Sequence, residues 1–297
     1  MKRCVRAACI AGVAVLSANS TSAQLRRNTG AIQLPGGSIA APAGAFALET
    51  NPAAMPRLAG WEVAYAHVEG PDSEPVERGD ALYAVTPLPL NFAFGVGADW
   101  VRPTFGGPGD DRGRFSWALG WAQSSTLSVG GAVRFLSAQG ALGGTATLDL
   151  GAQWAPSRYF AVGAVVRDPL GPAGLVGSDA DLPASLELGG QFRPLGNDAV
   201  GLELVAAVDT DGRLALRGLA TVQVPRVGRL WGVLAGEDVR LGGDWQALVG
   251  AEIQLDRATI GGGTLFGSGT DRGWFVGARL AQAHDTEGTD RLPDLLG

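Results

Sequence analysis

Three successive stretches of the chain place an apolar residue at every second position. Phe92, Phe94, Val96, Ala98 and Trp100 alternate with Asn91, Ala93, Gly95, Gly97 and Asp99. Phe115, Trp117, Leu119 and Trp121 alternate with Arg114, Ser116, Ala118 and Gly120, and Leu127, Val129, Gly131, Val133 and Phe135 with Ser128, Gly130, Ala132 and Arg134. A period of two predicts strands with unlike faces, one aliphatic and aromatic, the other small, polar or charged. The pattern extends to fourteen strands, from Trp61–Val68 through the less regular Leu230–Gly236 and Ala258–Leu265 to Trp274–Gln282. Long gaps such as Glu69–Asp80, Arg102–Gly113 and Asp168–Ala184 alternate with short ones such as Leu88–Leu90, Gln123–Thr126 and Pro156–Tyr159. The tight Thr210–Gly212 breaks the rhythm.

Two environments produce such strands and orient them oppositely. A soluble sandwich turns its apolar faces inward. An outer-membrane barrel turns them to lipid and fills its lumen with small, polar and charged residues. The even strand number and the alternation of long and short connections favour the barrel. So do large aromatics at strand ends, among them Trp100, Phe115, Trp121, Phe135, Trp154, Phe160, Phe192, Trp245 and Trp274, where interfacial belts lie. The expected fold is an all-β, 14-stranded antiparallel transmembrane β-barrel with an N-terminal hatch-like segment.

Composition sharpens this picture. Lys2, Arg3 and Arg6, the apolar run Ala7–Leu16 and the small residues up to Ala23 read as an export signal over residues 1–23. Its removal takes Cys4 and Cys9, leaving no thiol for disulfides, catalysis or metal binding. Beyond Gln24 no apolar run is long enough for a spanning helix, since Pro35, Gly36, Gly37 and Pro42 interrupt the nearest one. If the chain enters a membrane it must do so as a closed sheet. The 46 glycines suit a sheet bent around a lumen. A net charge of −6, with Lys2 the only lysine, argues against nucleic acid as a partner.

Residues 24–60 precede the sheet and contain Phe46-Ala47-Leu48-Glu49-Thr50-Asn51-Pro52-Ala53-Ala54-Met55-Pro56. By spacing alone this is a surface loop with a short helix. The Asn-Pro-Ala step after a small-residue stretch, followed by Met55 and the first strand, resembles the N-terminal segment of the long-chain fatty acid transporter superfamily of outer-membrane barrels. A similar step occurs in type IX secretion outer-membrane barrels. The fatty-acid resemblance implies a hatch inside the barrel, residues 61–282 as the wall, and Phe46, Leu48, Asn51, Pro52 and Met55 along a ligand path.

Catalytic chemistry is scarce. His67 shares a face with Trp61, Val63 and Tyr65, and His284 lies in the terminal segment, so neither supports a triad and no enzyme or cofactor is expected. Asp209-Thr210-Asp211-Gly212 begins like a calcium loop, but Ala220 stands where the bidentate acid belongs, leaving a hairpin turn. The glycines at Gly95-Val96-Gly97 and Gly261–Gly263 lie within strands and precede no helix that could receive phosphate. Glu69, Asp72, Glu74, Glu77 and Asp80 form an acidic loop, solvated or gathering cations near lipopolysaccharide. The face opposite the apolar one carries Asp99, Arg114, Arg134, Asp149, Arg167, Glu187, Glu203, Arg217, Glu252 and Arg279. These charges read as a mutually neutralising network; alternatively Arg134 and Arg167 anchor a carboxylate headgroup. Residues 283–297 form a polar tail expected in the periplasm. The leading expectation is a cell outer-membrane channel, in contact with bilayer and lipopolysaccharide, for hydrophobic molecules such as fatty acids. The other is a non-transporting barrel that presents a periplasmic or secreted partner.

Overall fold

Alternation along each strand and pairing between strands combine into one closed sheet. The computed structural model describes residues 37–42, 44–69, 78–102, 112–137, 144–170, 184–224, 227–236, 245–266 and 272–282. The export signal, the loop acids Asp72, Glu74 and Glu77, the tail and His284 lie outside these residues. The strands are β1 (Glu62–Glu69), β2 (Arg78–Leu88), β3 (Phe92–Arg102), β4 (Arg112–Ala122), β5 (Leu127–Ser137), β6 (Ala146–Ser157) and β7 (Phe160–Arg167). They continue as β8 (Ser185–Phe192), β9 (Val200–Asp209), β10 (Leu214–Val224), β11 (Gly228–Gly236), β12 (Trp245–Leu255), β13 (Ala258–Phe266) and β14 (Arg272–Ala281). Each pairs antiparallel with its sequence neighbours, and β14 returns to β1, with Glu62 opposite Ala281, to close the barrel. Closure removes every sheet edge, so backbone polar groups along the wall pair between strands, with one irregularity in the β6–β7 register between Trp154 and Ser157. The largest boundary difference from expectation is at β2, which begins at Arg78 rather than Ala81.

Local chemistry sets the short turns. Leu90 and Asn91 adopt φ of 61° and 62° between β2 and β3, the left-handed pair of a type I′ hairpin. Between β9 and β10, Gly212 takes φ 77° and its N–H donates to Asp209 O at 3.0 Å, the turn expected from Asp-Gly.

The faces fall as a barrel requires. Trp117 is 52% exposed on the outside, with Phe94 and Val129 alongside it, whereas Asp99 is 1% exposed and Arg134 and Asp149 are buried in the lumen. In water this arrangement would expose the apolar set and bury the charged one; facing hydrocarbon, it puts both in favourable surroundings. Outer aromatics contact across strands, as in Trp117 with Phe135 at 5.1 Å and Phe92 with Trp121 at 6.1 Å between ring centroids.

The segment before β1 lies inside this wall as a plug. A 3₁₀ turn at Gly44–Phe46, the single-turn helix α1 (Ala47–Thr50) and a 3₁₀ segment at Pro52–Arg57 follow one another. The plug packs chiefly against β1 to β6, and its leading residues reach β8 and β9. Leu48 and Met55 are fully buried and meet Tyr83, Val85 and Ala118 in the apolar core between plug and wall.

Candidate functional site

The Asn-Pro step holds the plug against the wall, and its chemistry explains the local fold. Proline restricts Asn51 to extended backbone, observed at φ −157° and ψ 102°, and Pro52 can open the following helical segment without needing its missing N–H. Asn51 caps that segment: its Oδ1 accepts from Ala53 N–H at 3.1 Å. Its Nδ2 donates to Ile39 O at 2.9 Å and to Ala152 O on β6 at 3.0 Å. One side chain thus ties three pieces of backbone together. Glycine makes the approach possible, because a Cβ at Gly151 would lie 2.2 Å from Asn51 Oδ1 and one at Gly130 2.6 Å from the Pro52 carbonyl carbon. Glu203 on β9 accepts from Ile39 and Ala40 N–H at 2.9 and 3.0 Å, and Gln153 donates to Ala40 O at 2.6 Å.

A buried ionic row runs around the same side of the wall. Asp99 on β3 faces Arg114 on β4; Arg134 on β5 pairs with Asp149 on β6; Arg167 on β7 reaches both Asp149 and Glu187 on β8, at 2.6 Å each. Strand by strand the signs alternate except between β4 and β5, where two guanidiniums adjoin. Glu49 of the plug enters at that position, 2.6 Å from Arg114 Nη2 and 3.2 Å from Arg134 Nη2. Arg167 donates to the carbonyls of Glu49 and Thr50 at 3.0 and 2.9 Å, satisfying the C-terminal end of α1. Tyr83 donates to Asp99 and ends the row at β2. Such charges tolerate burial because each has partners; removing one strands the others.

The expected site residues therefore separate. Arg134, Arg167 and Glu187 join the buried row, Glu203 holds the start of the plug, and Arg217 is half-buried on the lumen side of β10. Arg279 lies elsewhere, on β14. Along the expected ligand path, Leu48, Asn51, Pro52 and Met55 are sealed between plug and wall, so that route is closed at Asn51 and Pro52 in this conformation. Phe46 alone of the five faces open space.

That space is a cavity of ≈ 400 Å³, counting the part open to solvent, between Phe46 and the wall of β1 and β11–β14. Trp231 and Phe275 stand 5.1 Å apart, tilted by 36°. Both rings lie flat on glycines of neighbouring strands: a Cβ at Gly250 would fall 2.3 Å from Trp231 Cζ2, and one at Gly263 2.5 Å from Phe275 Cε1. Small residues beneath the rings let them lie close against the wall, where Trp231 is 5% and Phe275 8% exposed. Farther along, Glu252 accepts from Arg229 at 2.8 Å and from Arg279 at 3.0 Å. The outward-apolar rule had no place for Trp231 and Phe275 in the lumen. Their signal was parity, since Trp231 shares its face with Arg229 and Phe275 with Arg279, while Leu230, Trp274 and Val276 point outward.

No family model and no curated protein matches the chain. In fold it is similar to monoaromatic hydrocarbon channels. The CymD channel aligns with TM-score 0.60 at 10% identity, covering 83% of this chain and 95% of that one. The toluene transporter TodX of P. putida aligns at 0.57 and 14%, covering 84% and 96%, and a TodX mutant described as a monoaromatic hydrocarbon channel at 0.55 and 14%, covering 84% and 97%. At these identities the likeness is one of fold.

Proposed function

We propose that the protein is an outer-membrane channel for small hydrophobic molecules, in which passage runs between Phe46 and the aromatic wall while the plug keeps its place. The carrying observation is the division of the lumen. On one side an ionic row and close backbone contacts fix the plug; on the other, Trp231 and Phe275 line a cavity that is partly open to solvent. The similarity of fold to hydrocarbon channels supports the same reading and favours aromatic hydrocarbons over fatty acids. The outer face would contact the bilayer, with lipopolysaccharide around its outer rim.

The test is toluene uptake by proteoliposomes carrying the full chain. Gly277 lines the cavity, and Gly277→Phe fills it; uptake by the wild type and a loss of about tenfold in the variant, a barrier of roughly 1.4 kcal/mol, are expected. Absence of uptake by the wild type, or equal uptake by both, overturns the reading. The pinned plug favours a second reading, a non-transporting barrel presenting a periplasmic or secreted partner, and absence of uptake by the wild type would favour it.

A further inference from the structure

The aromatic cavity ends on a charge cluster that a path for neutral hydrocarbons does not need. Glu252 receives one guanidinium on each carboxylate oxygen, Arg229 on Oε1 and Arg279 on Oε2. Among the described residues, one carboxylate between two guanidiniums leaves this end of the cavity with excess positive charge. Glu62, the other acid on the adjoining face of β1, is engaged with the Ala45 N–H at 2.8 Å. The donors are also incompletely used. Among the described residues, Arg229 Nε is buried without a hydrogen-bond partner, and Arg279, which lines the cavity, donates only through Nη2. A guanidinium carries five N–H donors in a fixed fork suited to a carboxylate. Trp231 and Phe275, 5% and 8% exposed, and the half-buried Phe46 give the cavity an aromatic lining against which a planar molecule can pack.

We infer that this half of the lumen is a binding site for a planar aromatic carboxylate, its ring in the solvent-open part of the cavity beside Phe46 and its carboxylate on the guanidinium of Arg279. The inference rests on passage through this cavity and adds an anionic ligand class to it. Glu252 then has a defined role: it holds the two arginines in place and partly neutralises them, so that the anion is bound weakly enough to leave.

Binding of 4-fluorobenzoate and of its neutral counterpart 4-fluorotoluene to the full chain in lipid nanodiscs, followed by fluorine NMR against empty discs, tests this. Arg279→Gln is expected to weaken 4-fluorobenzoate about tenfold, the effect of losing a charge-assisted hydrogen bond, and to leave 4-fluorotoluene within about twofold. Glu252→Gln is expected to tighten 4-fluorobenzoate, a sign that misfolding cannot produce, and Arg279→Lys to retain most of the binding. Weakening of both probes alike by Arg279→Gln, or of 4-fluorobenzoate by Glu252→Gln, overturns the inference. Binding of 4-fluorotoluene but not of 4-fluorobenzoate overturns the anion site and leaves hydrophobic passage standing; binding of neither overturns both.

Discussion

The carboxylate of Glu49 lies 2.6 Å from the guanidinium of Arg114, a residue 65 positions farther along the chain. This contact places the plug's only acid where two neighbouring strands present like charges. Glu49→Leu should leave Arg114 and Arg134 buried and adjacent without their shared counter-ion, at a cost of about 3–5 kcal/mol. Equilibrium unfolding in lipid vesicles measures it. In a double-mutant cycle with Arg114→Met the double variant should lose less than the sum of the two single losses; simple additivity would show that the contact contributes nothing.

Close contact between plug and wall makes a second prediction. A methyl group at Gly130 has no room beside Pro52, so Gly130→Ala should destabilise by about 1–3 kcal/mol and loosen the plug. Gly190, with open space where its Cβ would stand, should accept alanine within about 0.5 kcal/mol. The same unfolding measurement compares them, and equal effects would contradict a plug seated on glycine.

Depth in the bilayer should grade substitutions on the outer face. Trp117 stands midway along β4 and Trp100 near the end of β3. Trp117→Arg should cost about 2–4 kcal/mol and Trp100→Arg about 1 kcal/mol or less from the charge itself. Reversal of that order in vesicle unfolding would misplace the membrane band.

Much of the wall was legible in the residues: a period of two sorts them onto two faces, and the even strand number and loop rhythm decide the direction, with Phe94, Trp117 and Val129 out and Arg134 and Asp149 in. The ionic row was half legible. Asp99, Arg114, Arg134, Asp149, Arg167 and Glu187 were visible as lumen charges, but register decides which of them meet, and register depends on turn geometry as well as on the pattern. The partner that completes the row, Glu49, sits outside the sheet where no periodicity applies. The cavity was hidden for a related reason. An aromatic on a strand reads as lipid-facing unless its parity is compared with that of a charged neighbour, and the glycines that flatten Trp231 and Phe275 belong to other strands.

The most direct test of passage beside a stationary plug is to lock that plug and measure uptake. A Cβ at Gly189 would stand 3.0 Å from the Cβ of Ile39, near the separation of about 3.8 Å that a disulfide spans. Cysteines at both positions, with Cys4 and Cys9 replaced by serine, therefore allow a reversible bond between plug and β8. Toluene uptake into proteoliposomes should be the same with the bond formed and with it reduced; a fall on oxidation that reductant restores would mean that the plug must move, contradicting a path past Phe46 alone.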